Sequence, residues 1–341
     1  MAAKVVSFIN LKGGVGKSTL ALAIGEALAF IRRREQISLP QGQVREVLRG
    51  PERVLLVDID LQSNLSYATT SVQRMEQLEL SGYTVYHMFA SALQGKAWDI
   101  RSAINKQCSN IIGNTHLHNL VCSYALGELD QDMLAMLERG DKLNVSFREV
   151  LKGHLDQVRD DYDYIFIDCP PSLSPLTSNA IVASDYFVVP IIPEELSLQG
   201  IDLIQNRIGQ LKSTYPHIKA EFLGSIMNKI DIRRRRDHLR LAEDIVTTDS
   251  SRFQPFNYWL GDWRPLYTDS DFGYFQNEGW TSGWPTWDHK YGEPNGRKIR
   301  VSNPNDDLGG QHVIWPRGDA KTFYLSQRIV NLMFEFVGRF P

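Results

Sequence analysis

Cysteine is scarce: Cys108, Cys122 and Cys169 are the three in 341 residues, an odd number with no CxxC spacing. That excludes a disulfide-built scaffold and a cysteine-held zinc cluster, and it fits a reducing compartment. No apolar run reaches the ~18 residues that a membrane span needs. An excess of either charge is missing too, with 37 Lys+Arg against 40 Asp+Glu and a net charge of −3. Any nucleic-acid contact must therefore come from a local patch. The opening MAAKVVSFIN shows no leader pattern and runs straight into a motif, so a cytoplasmic protein is expected. What is present is ordinary for a globular chain: 43% hydrophobic and 23% charged residues exclude global disorder. The length suits one large domain or two ordinary ones.

Short apolar runs alternate with longer amphipathic stretches. Val5–Ile9 ends at a glycine-rich loop, after which Ile24, Ala27, Leu28 and Ile31 fall at helical spacing. Val54–Ile59 is continuously apolar up to its carboxylate, as a strand buried on both faces requires. Ile165–Ile167, Tyr186–Ile192 and Phe222–Met227 repeat that pattern. The order predicts an α/β fold with a mainly parallel sheet and helices on both faces. Ligands bind such sheets at the carboxyl ends of the strands. Arg32–Arg53, with Pro40, Gly42, Gly50 and Pro51, reads as a surface insertion (about 33–53), and Arg32–Arg34 as a helix end where cations suit the dipole. Six of the seven tryptophans (Trp259, Trp263, Trp280, Trp284, Trp287 and Trp315) crowd a Gly/Pro/Asn/Asp-rich stretch, and Thr322–Phe336 then returns to a helical pattern. Three units follow: a core over 1–248, an aromatic-rich accessory segment over 249–317, and a C-terminal segment 318–341 whose helix packs on the core.

The strongest local signal is Lys12-Gly13-Gly14-Val15-Gly16-Lys17-Ser18-Thr19, placed between a strand and a helix. Glycines let successive amides turn toward phosphate oxygens, and the helix N-terminus adds positive potential. Lys17 is placed for the β- and γ-phosphates and the Ser18 hydroxyl for Mg²⁺. The common GxxxxGK[ST] form is not met, because Leu11 stands at its first glycine and a second lysine, Lys12, precedes the others. Asp58 and Asp60 close the second apolar run. Asp168 closes YIFID, the form of a Walker B strand. Loop and carboxylates together make one site from three strand ends.

KGGVGKST, VDIDLQSN and DYDYIFIDCPPS resemble the deviant Walker A ATPases of the ParA/MinD superfamily, specifically the ParA/Soj branch. VPIIPE followed by LQG, and GSIMN at 224–228, fit the same family, and TVYHMF at 84–89 agrees in position. The resemblance covers roughly residues 1–245. It implies ATP and Mg²⁺ as cofactors. It implies that Lys12 reaches the partner's phosphates in an ATP-sandwich homodimer and that Lys17 holds the phosphates of its own subunit. Ser18 would ligate Mg²⁺, with Asp58 and Asp168 supporting the ion through water. Asp60 would orient the hydrolytic water. Asn228 would contact adenine, with Pro193 and Glu194 nearby. It further implies non-specific DNA binding, with Arg233 the best positional match, a ParB-like adaptor that stimulates hydrolysis, and a cytoplasmic, nucleoid-associated protein.

The chain departs from the family in particular places. Leu61 replaces the proline of VDxDPQ. Asn228-Lys229-Ile230-Asp231 also spells the guanine-reading NKxD, which leaves ATP against GTP resting on the resemblance. Arg233, Arg234, Arg235 and Arg236 form a run that reads either as DNA-phosphate contacts or as a solvated helix start. The terminal Ile329, Leu332, Met333, Phe336, Val337 and Phe340 fall at helical spacing, with few basic residues opposite. That favours packing over a MinD-like membrane helix. Three alternatives to a partition ATPase remain: a MinD-like membrane positioner, a ParA-like part of a specialised system with the tryptophan segment as adaptor, and a small-molecule ligase of the same superfamily.

Overall fold

The computed structural model describes residues 2–38, 44–106, 108, 114–139, 147–192, 195–229, 253–256, 298–300, 313–314 and 324–340. Its N-terminal part begins with β1 (Lys4–Phe8), α1 (Lys17–Phe30), β2 (Arg32–Ser38), β3 (Val44–Arg49) and β4 (Val54–Asp58). Four helices follow: α2 (Asn64–Thr69), α3 (Val72–Leu80), α4 (Val85–Leu93) and α5 (Ile100–Ala103). Next come β5 (Leu117–Leu120), α6 (Leu126–Arg139), α7 (Val150–Leu155), β6 (Tyr164–Asp168), α8 (Pro175–Ala183), β7 (Tyr186–Ile191), α9 (Glu195–Thr214) and β8 (Glu221–Met227). The last described elements are β9 (Lys298–Arg300), β10 (Val313–Ile314), β11 (Tyr324–Ser326) and α10 (Gln327–Gly338).

Six strands form one parallel sheet in the order β5-β4-β6-β1-β7-β8. The alternation of the pleat explains why its strands read as unbroken apolar runs. Val5, Leu55, Ile165 and Val189 face one core layer, while Val6, Leu56, Phe166 and Val188 face the other. The first layer is closed by α4, α7, α8 and α9, and the second by α1 and α10. Within α10, Leu332, Met333 and Phe336 are fully buried.

The guanidinium of Arg339, one residue past α10, donates to the carbonyls of Leu223, Gln254 and Pro255 and to Glu335, and it lies 3.9 Å over the Phe256 ring. This clamp ties the C-terminus and residues 253–256 to β8. Gly224 makes it possible: at φ 137 it has no Cβ, and one would meet Gln254 O at 2.4 Å.

Three sequence expectations change. The 33–53 insertion is a β-hairpin, β2 paired antiparallel to β3, with β10 on its outer edge. Arg32–Arg34 do not end a helix: α1 stops at Phe30 and the arginines open β2. The last helix begins at Gln327 rather than Thr322, because Tyr324–Ser326 pair with β9. The tryptophan-rich stretch lies almost entirely outside the described residues; Phe253 and Phe256, at its near end, are buried.

Candidate functional site

The loop after β1 turns back over the sheet and opens α1, and its conformation follows from its glycines. Gly14 (φ 74) and Gly16 (φ 89) sit in the left-handed region, where other residues are strained. Gly16 is also the N-cap of α1. A Cβ there would fall 1.9 Å from Nδ2 of Asn228, so the position is closed to any side chain.

Asn228, just past β8, donates from that Nδ2 to Val15 O at 2.9 Å. Asn10 holds the other end of the loop: its Nδ2 donates to Pro190 O, and its Oδ1 accepts the Lys12 amide at 2.8 Å. The loop is thus pinned to β7 and β8 at two points. Val15 is fully buried and Lys12 is exposed at the outer rim.

The strand register brings the acids together. Asp58 and Asp168 are direct neighbours across β4 and β6, and Phe8, where β1 ends, pairs with Asp168 on the other side. Asp60 does not share the strand with Asp58. β4 ends at Asp58, and Asp60 lies in the turn that follows, its amide donating to Asp58 Oδ1 at 3.1 Å. Asp58 also accepts the Ser66 hydroxyl (2.7 Å) and amide (2.8 Å). Asp60 accepts the Gln62 amide. Asp168 is fully buried, and neither of its carboxylate oxygens has a hydrogen-bond partner; the Ser18 hydroxyl acts on it only from a looser approach. Leu61, where the family has proline, packs its side chain on the core and leaves the acids in place.

A cavity of about 270 Å³ opens above these groups. Gly13, Gly14, Gly16, Lys17, Ser18 and Thr19 line it, with Asp60, Gln62 and Asn64, and Pro171 and Lys229 are also in its wall. Lys12 is not among the lining residues, and Asp58 and Asp168 lie beneath it. Pro193, Glu194 and Arg233–Arg236 are outside the described residues. Sequence reasoning missed Asn10, Ser66 and Lys229. Ser66 and Asn10 carry no motif, and their role comes only from where the fold brings them. Lys229 had one local signal, its place in NKxD, and it adopts a left-handed backbone at φ 54.

The three carboxylates all have raised pKa values. Burial is the main cause at each. It lifts Asp58 from 3.8 to about 7, against the Ser66 hydrogen bonds and with help from Asp60. It also lifts Asp168 well above the usual carboxylate range, with Asp58 adding to the effect and Lys17 opposing it. Asp60 is raised less, because the Gln62 amide and Lys17 hold its charge. The folded state then binds more protons than the unfolded chain above about pH 4, so stability falls as pH rises through the raised pKa values. The nucleotide-free protein should therefore melt at a lower temperature at about pH 8 than at about pH 6. Mg²⁺ with nucleotide should raise the melting temperature more at the higher pH. Equal melting temperatures across that range without ligand would show that the acids are not held protonated.

A parallel sheet, a loop of amides opening a helix, a lysine within it and acids at the neighbouring strand ends define a P-loop nucleotide-binding protein. The AAA_31 family profile, described as an AAA domain, matches residues 46–221, just over half of the chain. The chain belongs to that family and is a P-loop ATPase of the ParA/MinD superfamily. It is 30% identical over 211 residues to the chromosome-partitioning ATPase Soj of Treponema pallidum, a stretch covering 62% of this chain and 65% of that protein. It is 29% identical over 232 residues to the sporulation initiation inhibitor protein Soj of Bacillus subtilis, covering 67% of this chain and 74% of that one. Among solved structures, a plasmid partition protein from Borrelia burgdorferi shares the fold, with a TM-score of 0.54, 22% identity and coverage of 80% of this chain and 93% of that one. Cobyrinic acid a,c-diamide synthase from Mycobacterium smegmatis, solved with an ATP analog and magnesium, gives a TM-score of 0.52 at 25% identity, covering 72% and 82%.

Proposed function

We propose that this chain is an ATP-driven switch of the partition type. It binds ATP with Mg²⁺, closes into a sandwich homodimer, binds DNA without sequence preference in that state, and is reset when a ParB-like adaptor stimulates hydrolysis. The observation that carries the reading is the convergence of Lys17, Ser18 and Asp60 on one cavity beside the paired Asp58 and Asp168. The names of the two Soj relatives support it.

The residues fit the implied ion. Among the described residues no group of three or more His, Cys, Asp and Glu forms a protein cage for a metal. Mg²⁺ does not need one, since it keeps waters and takes a few protein oxygens together with phosphate. Ser18 would ligate it, with Asp58 and Asp168 holding its waters. The unpartnered oxygens of Asp168 suit that task. When bound, Mg²⁺ neutralises charge on the phosphates.

The loop amides and Lys17 bind the phosphates, and Asp60 holds the attacking water in line. Asn228 anchors the loop and contacts adenine, a role that Pro193 and Glu194 share. Lys12, exposed on the loop, would reach a partner's nucleotide. Arg233–Arg236 supply the DNA contact. On this reading the core is 1–248, the segment 249–317 is an accessory insertion, and 318–341 returns to seal the core. The protein acts in the cytoplasm on the nucleoid.

No helix among the described residues is long and apolar enough to cross a membrane. The apolar side chains Leu332, Met333 and Phe336 of α10 are already buried, which weighs against a MinD-like lipid anchor. Lys12→Gln should leave nucleotide binding within about threefold of wild type and abolish the ATP-dependent dimer, as read by light scattering with ATP and with ADP. A variant that dimerises like wild type would overturn the sandwich role of Lys12.

A further inference from the structure

Carbonyls at the end of β7 hold different parts of the nucleotide site. Val188 O accepts the Ile9 amide at 3.0 Å, and Ile191 O accepts the Asn228 amide at 2.8 Å. Between them, Pro190 O accepts Asn10 Nδ2 at 2.6 Å. In a parallel ladder every second amide of one strand donates to every second carbonyl of its neighbour. After Ile9 to Val188, the next amide in line for Pro190 O is that of Leu11. The chain leaves the sheet for the phosphate loop at this point, and the Asn10 side chain supplies the donor in its place.

The same side chain fixes the residue that follows. Its Oδ1 accepts the Lys12 amide at 2.8 Å, the i to i+2 bond with which an asparagine closes a turn. Asn10 is 2% exposed, so water competes little for either bond. The two anchors of the loop act on different residues. Asn228 holds Val15, between Gly14, Gly16 and Lys17, which line the nucleotide cavity. Asn10 holds Lys12, which is exposed and does not line that cavity. Loss of Asn10 removes this hold on the Lys12 backbone and leaves the phosphate-facing amides under that of Asn228.

We propose that Asn10 is the positioning residue of Lys12, fixing its backbone against β7 so that the side chain is delivered to the second nucleotide of the sandwich. Lysine carries its charge on a flexible four-carbon stem, so its reach is defined only where its backbone is. The inference rests on the sandwich reading for where Lys12 goes, and on the two Asn10 bonds alone for where it is held. Asn10→Ala loses both bonds. Asn10→Ser loses the bond to Pro190 O and keeps a hydroxyl that closes the same turn more weakly. Since both lose the Pro190 bond, the difference between them reports the Lys12 bond, whatever the cost in stability that thermal melting records. Asn228→Ala is the control on the other anchor. Light scattering follows dimerisation with ATP, and fluorescence anisotropy gives the affinity for labelled ADP. Site-resolved hydrogen exchange reads the Lys12 amide in the nucleotide-free chain.

Asn10→Ala should weaken the ATP-dependent dimer roughly tenfold or more and keep ADP affinity within about threefold of wild type, with Asn10→Ser in between. Asn228→Ala should show the reverse split, losing ADP affinity first. The Lys12 amide should exchange roughly tenfold or more slowly in wild type than in Asn10→Ala. An anchor that only holds the loop together would lower ADP affinity and dimerisation alike in Asn10→Ala. That result would overturn the proposal. So would equal dimers from Asn10→Ala and Asn10→Ser, or a wild-type Lys12 amide that exchanges as fast as in an unfolded peptide. Two outcomes keep the readings apart. If wild type protects the Lys12 amide and forms no ATP-dependent dimer, the sandwich reading fails while the hold of Asn10 on Lys12 is upheld. If wild type dimerises with ATP and Asn10→Ala does so equally, the sandwich reading stands and Asn10 has no part in it.

Discussion

Asp60→Ala leaves ATP bound and slows its hydrolysis by about 10²–10³-fold, the loss expected when a group that positions or deprotonates the attacking water is removed. Asp60 suits that work better than its neighbours. Asp58 is committed to three donors, Ser66 twice and the Asp60 amide once. Asp168 lies beneath the cavity, fully buried. Asp60 lines the cavity, its carboxylate accepts the Gln62 amide, and Lys17 is close enough to favour its charged form. The loop amides, Lys17 and Ser18 are untouched by the substitution, so binding survives and the ATP-bound dimer accumulates. Phosphate release in a single turnover measures the rate, and light scattering measures the dimer. Hydrolysis within about threefold of wild type would remove Asp60 from the mechanism.

Gly16→Ala abolishes nucleotide binding. Two costs combine at this position. The backbone at φ 89 is strained for any L side chain by roughly 1–2 kcal/mol. The new Cβ would also lie 1.9 Å from Asn228 Nδ2, which must move away and break its bond to Val15 O. That bond contributes about 1 kcal/mol, and more if the carbonyl is left buried and unpaired.

The loop then shifts, and the amides no longer converge. Affinity for a fluorescent ATP analogue should fall at least ~100-fold, corresponding to roughly 2.7 kcal/mol. The neighbouring glycines separate the causes. Gly14→Ala carries the strain without a clash, since φ is 74 and nothing lies within 4 Å. Gly13→Ala carries neither. Melting temperature should drop most for Gly16→Ala, less for Gly14→Ala and least for Gly13→Ala. An equal drop in all three would show that Asn228 does not lock the loop.

The strands that build the site were legible because each is buried on both faces and so reads as an uninterrupted apolar run: Val54–Asp58 and Tyr164–Asp168 are buried at every residue. β5 was missed for the opposite reason. It has four residues, two of them His118 and Asn119, and it sits at the sheet edge. The β2–β3 hairpin hid behind a composition of charges, proline and glycine that resembles a loop. Its strands pair with each other, and β2 pairs with β10, whose position in the sequence gives no hint of that contact.

In the site, the phosphate loop and the three acids were readable because their chemistry demands a fixed local pattern. The residues that hold them were not. Asn228 grips Val15 from 213 positions away, and Asn10 grips Pro190 from 180. Ser66 sits in the first turn of α2, with nothing in its neighbours to set it apart.

The most direct test of the account is DNA binding by this chain with ATP, with ADP and without nucleotide, titrated in salt. Binding is expected only with ATP, indifferent to DNA sequence, with the logarithm of affinity falling steeply and linearly with the logarithm of salt as counterions are released. ATP-dependent dimers that bind no DNA, or DNA binding that is the same in all three nucleotide states, would contradict it.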